Sequence, residues 1–376
     1  MVPGPSNLHP RVYQALLTPM VSHKDPAFLA AMDETAELLR MVFQTRNAST
    51  FCLPATGGSG MESSLLNLLE PGDTVVIGHA GFFAHRMVEI AQRLGVKLVT
   101  VEVEWGQAID TARLIAAVRE HGARVLAMVH GETSTGVEQP LDGLGAACRE
   151  LDCYLVVDAV PTLGGTSLPV DELQIDICYS GSQKCLSAPP GLSPITISQR
   201  AMRRIETRRT PVGSWYLDLS LHAHYWDETH IYHHTGPVLS IYALREALRL
   251  IAEEGLSARF DRHRLHSRAL TAGLRALGLK LFAEADHRLA TVVTVVVPEG
   301  IDSARARAVL LDEFDVEIAG GLDVQTNRMW RIGIMGHSAT RANVLLTLGG
   351  LELALNRQGY GGSGALAAAD AVYAGV

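Results

Sequence analysis

Residues 154–191 read YLVVDAVPTLGGTSLPVDELQIDICYSGSQKCLSAPPG. Two short strand-like runs frame this stretch. Tyr154 to Val157 is β-branched and aromatic and ends on Asp158; Asp176 to Ser180 ends in the polar turn Gly181-Ser182-Gln183 and then Lys184. In an α/β sheet, ligands sit in the crevice beyond the carboxyl ends of the strands. The pattern therefore predicts an acid and an amine facing one cleft.

A buried lysine can be held partly neutral and so become nucleophilic toward a carbonyl, as a Schiff base requires. An imine-forming lysine with an aspartate for a pyridinium nitrogen is the protein signature of pyridoxal phosphate. A strand ending in Asp is common in any α/β protein, so these two runs alone leave open a surface lysine and a loop aspartate.

Further motifs extend the pattern along the chain: PGPSN at 3–7, ATGGSGMES at 55–63, LEPGD at 69–73, HGETSTG at 130–136, VVDAV at 156–160, SGSQK at 180–184, YHHT at 232–235 and WRIG at 330–333. In this order they resemble the class V, fold-type I aminotransferases, in particular the alanine–glyoxylate/serine–pyruvate group. DPAF at 25–28 and the Gly-Ala-rich tail also look like the ureidoglycine–glyoxylate branch. The resemblance implies an α/β fold: a large domain with a mostly parallel seven-stranded sheet and a smaller C-terminal α+β domain. The expected division is an arm at 1–20, a large pyridoxal 5'-phosphate domain at 21–254 and a small domain at 255–376.

The resemblance also implies roles. Lys184 and Asp158 would be catalytic. Thr56, Gly57, Gly58 and Gln183 would hold the cofactor phosphate, with Tyr232 and Thr235 reaching it from the other subunit of a homodimer. Phe83 would stack on the ring, Val160 would pack on its other face, and Thr133 would sit by the phenolic oxygen. Arg331 would anchor the substrate carboxylate, with Gly4 lining the substrate end. The implied reaction is transamination of alanine or serine with glyoxylate. The alternative is (S)-ureidoglycine with glyoxylate, whose users carry Gln and Asn where this chain has His23 and Tyr232. A class V cysteine desulfurase would need a nucleophilic Cys on a small-domain loop, and residues 319–331 contain none. A non-catalytic scaffold would not need Lys184, Asp158 and Arg331 together.

Composition sets outer limits. At 376 residues, 47% of them hydrophobic, the chain can bury a large core and fill two domains. A net charge of −8 argues against a nucleic-acid surface, and the basic cluster Arg203, Arg204, Arg208 and Arg209 reads as the solvated face of a helix. The five cysteines form no CxxC pair and read as reduced thiols of a cytoplasmic protein. No apolar run is long enough to span a bilayer, no charged-then-apolar leader opens the chain, and Ala374-Gly375-Val376 is not a peroxisomal tripeptide.

In chain order, Pro, Gly and Ser make 1–25 an arm or loop, and apolar spacing predicts a helix over 28–45. Thr56-Gly57-Gly58-Ser59-Gly60 opens a helix whose N–H groups can face an anion, although it lacks the Lys-Ser/Thr ending of a nucleotide P-loop. Strands at 74–78, 97–103 and 124–130 alternate with helices at 85–94, 111–121 and 141–151, the rhythm of right-handed βαβ units. Residues 210–237 read as irregular and aromatic-rich; the adjacent His233 and His234 would point apart, giving no metal set. His263 and His266 read as a solvated helix face. Strands are expected near 280–282, 290–296, 316–319 and 329–334, with helices at 237–253, 257–277, 303–314, 341–356 and 365–374.

Overall fold

Alternating β-branched strands and capped helices build a seven-stranded sheet. Its spatial order is Ser49–Leu53, Ser193–Ile197, Ile177–Tyr179, Tyr154–Asp158, Val125–Val129, Thr74–His79, Lys97–Glu102. The computed structural model describes residues 1–375. From Ile177–Tyr179 to Lys97–Glu102 all neighbours pair in parallel, while Ser193–Ile197 runs antiparallel to both of its neighbours. Every residue of the strands Val125–Val129, Tyr154–Asp158 and Ser193–Ile197 is buried, because helices cover both faces.

One face carries the helices Pro26–Phe43 and Val238–Glu254, and the other carries Gly57–Leu68 and Phe82–Ala91. Local chemistry sets the ends of the first of these. Asp25 accepts the Ala27 N–H with Pro26 at the first helical position, and Gln44 closes the helix in the left-handed conformation.

A second core lies after Gly255. There Val292–Val296, Met329–Gly333 and Ala319–Gly320 form a three-stranded antiparallel sheet under the helices Leu256–Ala276, Ser303–Phe314, Arg341–Asn356 and Ala365–Ala374. Trp330 is fully buried at its centre, its indole N–H donating to Ser303 Oγ at 3.0 Å.

Several expectations are corrected. The first 25 residues include a helix, Pro10–Leu16, because His9 accepts the Arg11 N–H and Pro10 sits where a helix lacks donors' partners anyway. Within 210–237 a helix runs from Leu219 to Trp226, capped by Asp218. At 280–282 only a single bridge, Leu281 to Val295, forms. Arg204 is no solvated side chain: it pairs with Glu70 and Asp73 at 3.0 Å, while Arg208 donates to the Asn67 and Leu69 carbonyls at 2.7 Å. His263 is fully buried and His266 nearly so, because the C-terminal helix Ala365–Ala374 packs on theirs and Tyr373 Oη lies 2.9 Å from His266 Nδ1.

Candidate active site

Asp158 and Lys184 meet at the carboxyl edge of the large sheet. The parallel register sets Asp158 directly beside Tyr179, whose hydroxyl donates to Asp158 Oδ2 at 3.1 Å; the Val160 N–H donates to Oδ1 at 2.8 Å. Burial pushes the Asp158 carboxyl up to about 7, the Val160 and Tyr179 hydrogen bonds and the Lys184 charge opposing, with Glu132 adding to the rise. A cation against Oδ would return this carboxyl to its ionised form.

Lys184 emerges from the turn after Ile177–Tyr179. Its Nζ donates to the Pro3 carbonyl, and burial, then the charge of Arg331, lowers its pKa to about 8. The arm reaches this close only because residue 4 is glycine. Gly4 adopts φ +94°, and a Cβ there would lie 2.5 Å from Lys184 Cδ and 2.8 Å from Nζ.

Around the two groups lies a cavity of about 220 Å³ whose lining includes the expected Thr56, Gly57, Gly58, Phe83, Thr133, Asp158, Val160, Gln183 and Lys184, together with Met61, Arg86, Val129, Gly131 and Pro161, which sequence reasoning did not single out. Its anion end is the start of the helix Gly57–Leu68. The Thr56 side chain makes no capping bond there, so the first-turn N–H groups face the cavity unmet by a side chain. Gly57 is required by close approach: a Cβ would stand 2.9 Å from Val160 Cγ2.

Phe83 sits in the first turn of the helix Phe82–Ala91, which begins three residues earlier than sequence spacing suggested. The cause is Glu132. Its buried carboxylate accepts the backbone N–H groups of Phe83 and Ala84 at 3.0 and 3.2 Å, and those of Ser134 N and Oγ at 3.1 and 2.6 Å. An acid in this position replaces the missing side-chain cap and complements the helix dipole.

Arg331 projects from the small sheet. Its Nε donates to the Gly320 carbonyl at 2.7 Å, which fixes the guanidinium plane and leaves the two terminal amino groups for a bidentate partner. Burial lowers its pKa, and the Glu132 charge opposes this.

Glu132, Tyr179 and Pro3 were not singled out by sequence reasoning, nor was Arg259. Arg259 reaches from the helix Leu256–Ala276 to the Cys185 carbonyl next to Lys184 and to the Gly164 carbonyl at 2.8 Å, paired with Glu254 at 2.7 Å. From the same helix His263 Nε2 accepts the Gly336 N–H at 3.0 Å, so this charged helix ties the lysine loop to the turn following Arg331's strand. Of these, Glu132 lies in the HGETSTG motif and Pro3 in PGPSN, whereas none of the motifs from PGPSN to WRIG contains Tyr179 or Arg259.

His23, Tyr232 and Thr235 lie elsewhere on the chain, outside the Lys184 cavity. Tyr232 is half exposed, its hydroxyl 3.3 Å from Thr235 Oγ1 and its ring 5.2 Å from that of His23, with Lys24 Nζ 5.2 Å above it.

The Aminotransferase class-V family matches residues 11–346. This chain belongs to the class-V aminotransferases.

Among related class-V aminotransferases, the (S)-ureidoglycine–glyoxylate transaminase of Bacillus subtilis is 42% identical over 379 residues, 96% of this chain and 91% of that protein. The alanine–glyoxylate aminotransferase of Drosophila melanogaster is 40% identical over 360 residues, 94% of this chain and 91% of its own length. The crystal structure of ureidoglycine–glyoxylate aminotransferase from Bacillus subtilis superposes with a TM-score of 0.97 at 43% identity, covering 100% of this chain and 97% of that one.

Pyridoxal 5'-phosphate is the cofactor of this aminotransferase family, and the cavity suits it. The helix start at Gly57 and Gly58, which has no side-chain cap, suits an anion, the buried Asp158 suits a cation, and Lys184, of lowered pKa, lines the same cavity. No helix among the described residues is long and apolar enough to cross a membrane.

Proposed function

We propose that the chain transfers an amino group from alanine or serine to glyoxylate, with Lys184, Asp158 and Arg331 as its working residues. The observation that carries this reading is Lys184 Nζ held in one buried cavity with Asp158 and under the charge of Arg331. Bound pyridoxal phosphate supplies an electron sink for the bond broken at the substrate Cα. Lys184 would hold the cofactor through its amine and, when an amino donor takes its place, would serve as the base that accepts and returns the Cα proton. Asp158, kept in place by the Tyr179 hydroxyl and the Val160 N–H, would face the ring nitrogen and favour its protonated form. Phe83 and Val160 would flank the ring. Thr56, Gly57, Gly58 and Gln183 would hold the phosphate, with Thr133 near the phenolic oxygen. Arg331 takes the substrate carboxylate, and Gly4 closes the substrate end.

We further place His23, Tyr232 and Thr235 at the site of a second copy, because in one chain they form an exposed aromatic and hydroxyl patch away from Lys184. This makes the working unit a homodimer. The large domain is assigned to 21–254 and the small one to 255–376, after an arm at 1–20; the break falls at Gly255 between the helices Val238–Glu254 and Leu256–Ala276. Five buried, unpaired thiols support a reducing, cytoplasmic setting.

Tyr232 and His23 favour a short donor side chain over a ureido group, which two amides would serve better as both donor and acceptor. The second reading, ureidoglycine as donor, is supported by the likeness to the Bacillus subtilis enzyme. Purified enzyme assayed side by side with alanine, serine and ureidoglycine against glyoxylate decides between them. A higher kcat/KM for ureidoglycine would overturn the first reading.

A further inference from the structure

The sequence suggested that His233 and His234 point apart. In the structure their Nδ1 atoms lie 2.9 Å from each other, and His222 from the helix Leu219–Trp226 joins them. One ring nitrogen from each of the three lies within 4.8 Å of the others. We propose that His222, His233 and His234 bind one divalent transition-metal ion of the Zn²⁺ class, at a site outside the Lys184 cavity of the same chain.

The tautomer of His222 carries the argument furthest. Its Nε2 lies 2.7 Å from the Tyr216 carbonyl oxygen, which can only accept, so Nε2 bears the hydrogen and Nδ1 presents a lone pair. That Nδ1 is buried and has no protein partner, in a residue with no exposed surface. An imidazole whose other N–H is held by a backbone carbonyl is the arrangement that orients metal-ligating histidines. His233 Nε2 is likewise buried without a partner.

Ligand chemistry selects the ion. Three imidazoles with no carboxylate among them suit Zn²⁺, Co²⁺, Ni²⁺ or Cu²⁺, whereas Mg²⁺ and Ca²⁺ require oxygen ligands. In four-coordinate zinc, ligand nitrogens at about 2.0–2.1 Å from the metal stand about 3.4 Å apart. The His233 and His234 Nδ1 atoms, now 2.9 Å apart, would have to open to that spacing. A water completes the fourth position.

The ion would clasp the helix Leu219–Trp226 to the segment that carries Tyr232 and Thr235 on either side of the histidine pair. Occupancy then holds those two side chains in place. The site itself does not depend on their assignment to a neighbouring subunit.

Tag-free holoenzyme, stripped with a chelator that leaves its cofactor absorbance intact, is titrated with Co²⁺ as the probe. The expected result is one equivalent per chain, with visible ligand-field bands of a nitrogen-bound ion that Zn²⁺ abolishes. His222→Ala should weaken binding at least as much as loss of an outer-shell partner does, about 10–100-fold, with the cofactor absorbance retained. Should that variant fail to fold, the half-buried His234→Gln reads out the same loss. Substoichiometric uptake, or equal affinity and spectrum in the variant, overturns the site and reduces the cluster to neutral imidazole packing.

Discussion

The Glu132 carboxylate accepts the Phe83 backbone N–H at 3.0 Å, joining the loop that bears Thr133 to the helix turn that bears the proposed ring shelf. The same buried group takes four donors in all, so its removal strands each of them. Glu132→Ala is expected to lower stability by about 2–3 kcal/mol and to weaken cofactor binding. Urea unfolding and cofactor titration of the apoenzyme check this; unchanged values in both would show that Glu132 positions nothing.

Lys184→Ala should abolish turnover and the visible absorbance of bound cofactor, since neither Arg86, which lines the cavity, nor Arg331 can form an imine. Wild-type turnover in this variant would sink the central assignment.

Asp158→Asn should reduce kcat by roughly two orders of magnitude or more while the fold survives, because an amide cannot hold a protonated ring nitrogen. Its pH signature has a definite sign. The folded carboxyl is raised from 3.8 to about 7, so between those values the folded chain keeps a proton that the unfolded chain has released. Cofactor-free wild type therefore loses stability relative to Asp158→Asn as pH rises through this window, by about 4 kcal/mol in all. Denaturant midpoints measured across the window test it; a difference that is flat with pH contradicts the buried, uncompensated acid.

Arg331→Lys keeps the charge but loses the planar fork aligned by the Gly320 carbonyl. The expected loss in kcat/KM is about 2 kcal/mol, roughly 30-fold, for both amino donor and oxo acid. A change confined to one of the two substrates would argue for a different carboxylate anchor.

Trp215 is 63% exposed, Ile231 58% and Tyr232 51%, an apolar surface around the patch assigned to a neighbour's site. Sedimentation should give a dimer, and Tyr232→Ala should weaken cofactor binding. A fully active monomer would refute the shared site.

Much of this protein could be read along the chain because the relevant physics is local. Asp158 and Lys184 each close a β-branched run, Asp25-Pro26 opens a helix, and Gly57-Gly58 starts another, all within a few residues of the feature they create. Strand and helix alternation likewise implied a parallel sheet, and the parallel pairing follows it.

What only the tertiary structure decided depends on register and on packing between distant segments. Tyr179 reaches Asp158 because the two strands align at that residue, and no spacing in the sequence specifies such an alignment. Glu132 meets Phe83 across 49 positions, and Pro3 meets Lys184 across 181. His263 looked solvated among charged neighbours, yet Arg259 and Arg262 spend those charges on Glu254 and on backbone carbonyls, leaving the imidazole inside. A side chain's period tells which face it occupies, but what covers that face is set by segments far away in the chain. For the same reason His222, His233 and His234 converge only once the helix Leu219–Trp226 has folded back on the segment after it.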